Sequence, residues 1–420
     1  MVMINRLYNR IFIVFALILA SSFGYAQKNA KTMPYSSEEY FVALEEHFHP
    51  RTIQDKDKKD AKALMKDLEE KWEMGYFSND IKEKIYVTSN LMLQNKMRAV
   101  PYFKDYFHAL IAVIDKDVPE STVKKWMSSV DLVLKKQKNR DFTTYIFNSL
   151  ALFQENYIFS NRIIKWKVGN NWDLKVDSTV RYIFNNTDLV CYTKKDSSNI
   201  YGTTGEYHVF ENLWEGEGGR IDWQRADLDQ NEIYANLKNY QIEMKMSKFD
   251  ADSVEFFNYR YFDVPLLGEL EEQVLASRRG EKALFPAFTS YTKQWKIPEI
   301  FQDIDFSGGF KVEGARLIGI GDVEDPVILT FKRNGKKFVT LSSNSFSISV
   351  DKIRSQNSSV TIHYQQDSIY HSGLRMNYTD QARELSLIRD ERGVRADPFF
   401  NTFHQLDMFV EAAYWKMDED

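Results

Sequence analysis

The densest chemistry in this chain is the stretch Trp214-Glu215-Gly216-Glu217-Gly218-Gly219-Arg220-Ile221-Asp222-Trp223. Two carboxylates at alternate positions, a third nearby and a tryptophan at each end are the residue types of a glycoside hydrolase, where paired acids flank a sugar held on aromatic faces. Glu215, Glu217 and Asp222 are therefore candidate catalytic acids, and Trp214 and Trp223 candidate ligand platforms. The same residues also read as a tight glycine turn between strands, with the two tryptophans packing on either side. A phosphate cradle is a poorer match, because no lysine-serine or lysine-threonine pair follows the glycines.

Other constellations are thinner. Asp227-Leu228-Asp229-Gln230-Asn231 begins like a calcium loop, but Glu232 and Lys238 stand where an EF-hand requires glycine and the closing glutamate. A solvated turn accounts for it. His371, His404 and Asp407, with His363 and Asp367 nearby in sequence, would make a two-histidine carboxylate metal site if the fold gathered them; otherwise they are separate hydrogen-bonded side chains. His47 and His49 point to different faces of one helix and make a poor metal pair. No G-x-S-x-G elbow is present, and the single cysteine, Cys191, lies in an apolar run that predicts an inert buried thiol. No cofactor is expected.

These side chains must be positioned by two kinds of structure. From Tyr35 to about Asn161 the apolar spacing is helical and predicts six helices. Ser36 with Glu39 fits a capping box, Leu64, Leu68 and Trp72 form one face of the second helix with Gly75 as its stop, and Asn79 or Asp80 caps a third that ends near Pro101. Tyr102 to Ile114 makes a fourth, Pro119 to Ser121 starts a fifth, and Asp141 caps the sixth. After Asn161 β-branched and aromatic residues alternate between Asp/Asn/Gly/Ser turns, of which Arg333-Asn334-Gly335-Lys336 is the clearest hairpin. Glu269 to Ser277 is the exception, reading as a helix that separates two β segments. The alternation of Leu406, Met408, Val410, Ala412 and Tyr414 runs almost to the last residue and suggests a β region that continues in a longer protein.

The expected organisation is a signal peptide over residues 1–26, a helical domain over 35–161, a first β-rich region over 162–280 and a second over 281–420. The fold class is α+β multidomain: an N-terminal all-α helical-hairpin domain, then a mostly-β region built as an elongated or stacked sheet, or a sandwich. The export signal rests on Arg6 and Arg10, the apolar run Ile11 to Ala20, and Gly24-Tyr25-Ala26 before Gln27. It implies a periplasmic, outer-membrane-associated or secreted location, with no transmembrane span after cleavage. One cysteine allows no internal disulfide, so stability comes from core burial. A net charge of -5 with mixed signs argues against nucleic acid, which would require a basic face.

Further strings span roughly residues 200 to 410: Gly202-Thr203-Thr204-Gly205, Ala251-Asp252-Ser253-Val254, Pro265-Leu266-Leu267-Gly268, Gly308-Gly309-Phe310, Asp367-Ser368-Ile369-Tyr370-His371 and His404-Gln405-Leu406-Asp407. With Trp214 to Trp223, this stretch resembles large uncharacterised exported β-rich envelope proteins of Gram-negative bacteria. The resemblance implies a long repetitive sheet without an established reaction and transfers no catalytic residue. Asp177-Ser178-Thr179, Asp252-Ser253-Val254 and Asp367-Ser368-Ile369 also resemble a bacterial O-glycosylation acceptor motif, making Ser178, Ser253 and Ser368 candidate modification sites.

The functional expectation is an exported structural or binding protein, with a helical docking module and a β scaffold for a protein partner or envelope polymer. The alternatives are a carbohydrate-active enzyme using the acids near Trp214 and Trp223, and a β groove that shields lipid.

Overall fold

The computed structural model describes residues 32–48, 54–274, 279–389 and 397–419. The expected signal peptide, His49 and Pro50 lie outside them. The chain divides into two compact units, with the boundary between Gln154 and Glu155.

The first unit contains α1 (Ser37–His47), α2 (Asp55–Glu73), α3 (Asn79–Gln94), α4 (Lys104–Asp115), α5 (Glu120–Lys136) and α6 (Asn139–Glu155). Helix ends follow local chemistry. Gly75 leaves α2 at φ +80°, with Tyr76 N–H bonded to Lys71 O at 3.1 Å and Gly75 N–H to Trp72 O at 3.4 Å, a Schellman stop. The stop of α3 comes earlier than Pro101, because Lys96 adopts φ 57° and Met97 N–H bonds Met92 O at 3.0 Å, the same motif without glycine.

Two expected caps are shifted, and a third, Ser36, holds the N-cap position without its backbone bond. Ser78 rather than Asn79 or Asp80 caps α3, accepting from Ile81 N–H at 3.4 Å. Asp141 lies inside α6 and accepts from Lys138 N–H at 3.3 Å. Ser36 donates to the Glu39 carboxylate at 2.9 Å instead of capping a backbone N–H. Two tryptophans anchor the core: Trp72 stacks on Tyr40 at 5.9 Å and Trp126 on Tyr106 at 6.0 Å. Trp126 Nε1 donates to Ser149 Oγ at 3.1 Å, so its buried N–H is satisfied.

The second unit opens with β1 (Tyr157–Ser160), β2 (Lys165–Lys167), β3 (Trp172–Val176), β4 (Val180–Tyr192), β5 (Ser197–His208), β6 (Leu213–Glu217), β7 (Arg220–Asp222) and β8 (Ile233–Asn236). It continues through β9 (Asn239–Glu243), β10 (Lys248–Asn258), β11 (Leu266–Gln273), β12 (Ala287–Ser290), β13 (Trp295–Phe301), β14 (Ile304–Glu313), β15 (Arg316–Ile320) and β16 (Val327–Arg333). The last are β17 (Lys336–Ser343), β18 (Ser345–Ser349), β19 (Lys352–Tyr364), β20 (Asp367–Thr379), β21 (Glu384–Ile388), β22 (Phe399–Asn401), β23 (Leu406–Met408) and β24 (Ala412–Lys416). They form one antiparallel sheet of largely sequential neighbours. The hairpin expected at Asn334-Gly335 joins β16 to β17 with φ of 54° and 72°, the backbone of a type I′ turn.

The helix expected over Glu269 to Ser277 is instead β11 as far as Gln273, and residues 275–278 are not described. Leu266, Gly268, Leu270 and Glu272 point inward while Leu267, Glu269 and Glu271 point outward. One inward glutamate broke the apolar alternation and made a strand read as a helix. The division expected near residue 280 therefore falls within a continuous sheet, β11 pairing with β12 across it.

Register shows that the sheet is creased. Thr204↔Glu217 and Tyr201↔Arg220 belong to one alignment, so β6 and β7 are one strand broken at Gly218 and Gly219, with φ of 68° and 105°. Glu217↔Asn239 and Arg220↔Asn236 make β8 and β9 one strand broken opposite those glycines. In the same transverse row, β4 breaks at Asn186 (φ 50°), β5 at Gly202 (φ 62°) and β10 at Ser253 (φ 56°). The line continues through Gly308-Gly309, where β14 changes partners, through Asn344 between β17 and β18, and through the irregular register of β19 with β20. Every one of these strands thus has a half on each side of a shared crease.

The two halves meet face to face. Phe256 on β10 stacks on Phe288 of β12 at 4.3 Å, Phe331 on β16 meets Tyr378 of β20 at 5.6 Å, and Phe338 on β17 meets Trp415 of β24 at 4.7 Å. In each pair the rings come from opposite sides of the crease. Such pairs contribute about 0.5–1.5 kcal/mol beyond area burial. The rims are also tied. Trp166 Nε1 donates to Met244 O at 3.0 Å, and Arg383 reaches Gln302 O at 3.2 Å and Asp303 Oδ2 at 2.8 Å. The result is a two-layered meander whose interior, where these rings meet, is filled by side chains.

Candidate functional site

Strict alternation along β6 decides the fate of the acidic stretch. Trp214 and Gly216 face the core, while Glu215 and Glu217 face outward. Cross-strand partners extend this outer face as two ladders: Ile183, Glu206, Glu215 and Gln241 in one, and Thr204, Glu217 and Asn239 in the other. With Asn185, Asp250 and Asp252 they line an open groove of about 820 Å³ beside the crease. Beneath it, a Cβ on Gly216 would lie 2.6 Å from Trp214 Nε1, and one on Gly205 would lie 2.6 Å from Trp214 Cε2. These glycines exist so that the indole can lie flat against the backbone.

The groove is tied down from one side. Glu215 Oε2 meets His208 Nε2 at 3.0 Å, and its Oε1 accepts from Gln241 Nε2 at 3.0 Å. Arg181 Nη1 donates to Glu206 Oε2 at 2.9 Å. At the other end Tyr291 donates to Asp252, and Ser253 N–H donates to the same hydroxyl at 2.9 Å.

The candidate residues are only partly brought together. Glu215 and Glu217, alternate residues of one strand, stand about 7 Å apart. That separation suits an inverting glycosidase, but the two project in parallel from one strand instead of facing each other across a substrate. Asp222 lies beyond the crease, on the order of 15 Å along the strand, where it accepts from Gln224 N–H at 3.0 Å. Trp214 and Trp223 are both 0% exposed and offer no face to a sugar. Trp223 packs on Phe256 at 5.1 Å and Trp214 on Phe184 at 5.5 Å.

The histidine cluster does not form. Among the described residues no group of three or more His, Cys, Asp or Glu side chains is placed to hold a metal. His371 is buried, with Nδ1 accepting from Gly373 N–H and Nε2 donating to Asp397 O, each at 2.9 Å. Burial holds its pKa below the usual histidine value. His404 sits in the β22–β23 turn against Phe403 at 4.6 Å, and Asp407 on β23 lies opposite Phe400. Asp229 accepts from Asn231 N–H at 2.8 Å, which makes the calcium-like segment an Asx turn. Cys191 is buried, and that burial drives its thiol pKa upward.

Of the modification candidates, Ser178 is exposed in the β3–β4 turn and Ser253 is exposed on the crease, while Ser368 is half-buried and its N–H donates to Thr402 Oγ1 at 2.8 Å.

Two features escaped sequence reasoning. One is a buried ionic knot on the rim. Arg225, on the turn after β7, pairs with Glu272 and donates to Gln273 O at 2.9 Å, and its Nη2 lies 3.2 Å from Asp196 Oδ2. Arg279 donates to Asp196 Oδ1 at 2.7 Å. The Asp196 and Glu272 side chains are 0% and 2% exposed. Burial raises the pKa of Glu272 against the opposing pull of Arg225. The other is a second open groove, about 740 Å³, lined by Ser342, Asn344, Ser355, Asn357 and Ser372 on the same crease. Only the gathering of turn-type residues at matched register positions could have signalled it.

No family model, curated protein or solved structure matches this chain. No helix among the described residues is long and apolar enough to cross a membrane.

Proposed function

We propose that this protein is an exported, non-catalytic envelope protein whose helical unit docks a partner and whose creased β unit is a scaffold carrying a polar polymer on its outer face. The observation that carries this reading is the pair of outward ladders, Glu206, Glu215 and Gln241 in one and Glu217 and Asn239 in the other, over an interior already filled with aromatic rings such as Trp214 and Phe184. Carboxylates and carboxamides spaced along a groove are hydrogen-bonding partners for hydroxyl groups. A lipid would require an apolar channel, and the facing layers occupy that space with their own side chains. Hydrolysis would require opposed acids and a substrate platform, whereas these acids are parallel and the tryptophans buried.

The test is to incubate the purified protein with insoluble envelope polysaccharide from a Gram-negative cell, following both co-sedimentation and the release of reducing ends. Retention without release is expected, and Glu217→Lys with Asp250→Lys should abolish retention. Release that disappears in Glu215→Gln or Glu217→Gln would overturn the reading in favour of a carbohydrate-active enzyme.

A further inference from the structure

The helical unit has its own groove, unrelated to the acidic stretch. It lies between α1 and α2 with a volume of about 450 Å³. Phe41 and Trp72, edge to face at 5.2 Å, form its floor together with Met65 and Val42. Val42 is 57% exposed although it is an aliphatic side chain on an ordered helix.

Charge surrounds this floor on both helices. Glu38 and Glu45 flank Val42 at helical spacing on α1, and Glu69 and Glu73 sit on the facing stripe of α2. Among the described residues, none of these four glutamates has an ion pair and no lysine or arginine lines the groove. Lys82 of α3 lies over the Trp72 ring at 5.0 Å, and Lys66 on α2 is engaged by Glu70 at 3.4 Å. Elsewhere on the same unit acids are neutralised, as Asp57 and Asp60 are by Lys104 at 3.2 and 3.1 Å. Among the described residues the groove is thus an apolar slot whose acidic rim has no ion-pair partner.

We infer that this groove docks a cationic amphipathic helix of a partner protein, its apolar residues against Phe41, Val42 and Met65, which Trp72 supports from beneath, and its lysines or arginines against Glu38, Glu45, Glu69 and Glu73. The chemistry follows from the two parts together. An apolar floor selects the apolar stripe of a helix, read at i, i+3, i+4 and i+7 spacing. The carboxylate rim rejects anionic partners and steers cationic ones, because like charges brought together across an interface repel. This inference rests on the reading of the helical unit as the docking module and names the partner's chemistry.

The experiment uses the whole protein and three synthetic helical peptides, leucine-lysine, leucine-glutamate and serine-lysine, with binding measured by titration calorimetry. The leucine-lysine peptide should bind, and Glu38→Lys with Glu69→Lys should weaken it by about tenfold or more. The pair Glu324→Lys with Glu411→Lys, distant in sequence and equal in charge change, should leave affinity unchanged. Val42→Asp should also lose binding, with circular dichroism confirming that each variant keeps its helix content. Equal binding of the serine-lysine or leucine-glutamate peptide would overturn the proposal, as would indifference to Glu38 and Glu69 or no binding at all. Polysaccharide retention is read separately, so a failure here is distinguishable from failure of the scaffold reading.

Discussion

Arg225→Met is the most informative single perturbation of the β unit. The substitution roughly conserves chain length while removing the guanidinium that compensates Glu272 and contacts Asp196. Asp196 would keep Arg279, whose side chain is 57% exposed, but Glu272 at 2% exposed would lose its one cationic partner among the described residues. Stranding one partner of a buried pair costs roughly 3–5 kcal/mol. For a unit of this size, roughly 2–4 °C per kcal/mol gives a fall in melting temperature of roughly 6–20 °C.

The pH dependence has a defined sign. Burial raises the folded pKa of Glu272 above its unfolded value, so its contribution to stability is fully present below the unfolded pKa and is lost as pH rises through the folded one. Without Arg225 that folded pKa rises further. The deficit of Arg225→Met relative to the parent should therefore be largest near pH 7 and should shrink as pH falls toward the carboxylate range. Adding Glu272→Gln should restore much of the loss, since the stranded charge is gone. The assay is urea unfolding followed by circular dichroism at several pH values. A loss below about 1 kcal/mol, or one that does not change with pH, would refute the claim that this knot holds the two rims together.

Other outcomes follow from the same geometry. Gly216→Ala places a methyl 2.6 Å from Trp214 Nε1 and should cost at least about 1–3 kcal/mol, read as a lower urea midpoint. Gly335→Ala, with φ at 72° and nothing within 4 Å of the added carbon, should cost only the left-handed backbone strain of about 1–2 kcal/mol. Cys191 should resist a thiol reagent in the folded protein and react on unfolding, with kinetics matching loss of structure. The hydrogen bond from Lys293 holds Asp322 down at about 2, so an NMR titration should return it toward the ordinary carboxylate range in Lys293→Ala. Any stability linked to this lowered pKa is present above the unfolded value and lost as pH falls through about 2.

Local signals were the legible part of the sequence. The helices were announced by apolar spacing and by stops such as Gly75, and the β16–β17 hairpin by Asn334-Gly335. Residues whose meaning depends on a partner were not. Glu272 disguised β11 as a helix because its compensating Arg225 is distant in sequence and comes close only when the rims meet. Lys96 stopped α3 in a conformation usually given to glycine. The acidic stretch is polar and glycine-rich as a string, but alternation along β6 sorts it into buried Trp214 and outward Glu215, which a cluster read as one motif conceals. The crease itself was spread over Asn186, Gly202, Gly218 and Ser253, each an ordinary turn residue until register aligns them.

The most direct test of a scaffold without chemistry is the paired measurement of polysaccharide retention and reducing-end release with the same purified protein. Retention that depends on Glu217 and Asp250, with no release above a protein-free control, is the expected result. Release that is abolished by Glu215→Gln or Glu217→Gln would contradict it.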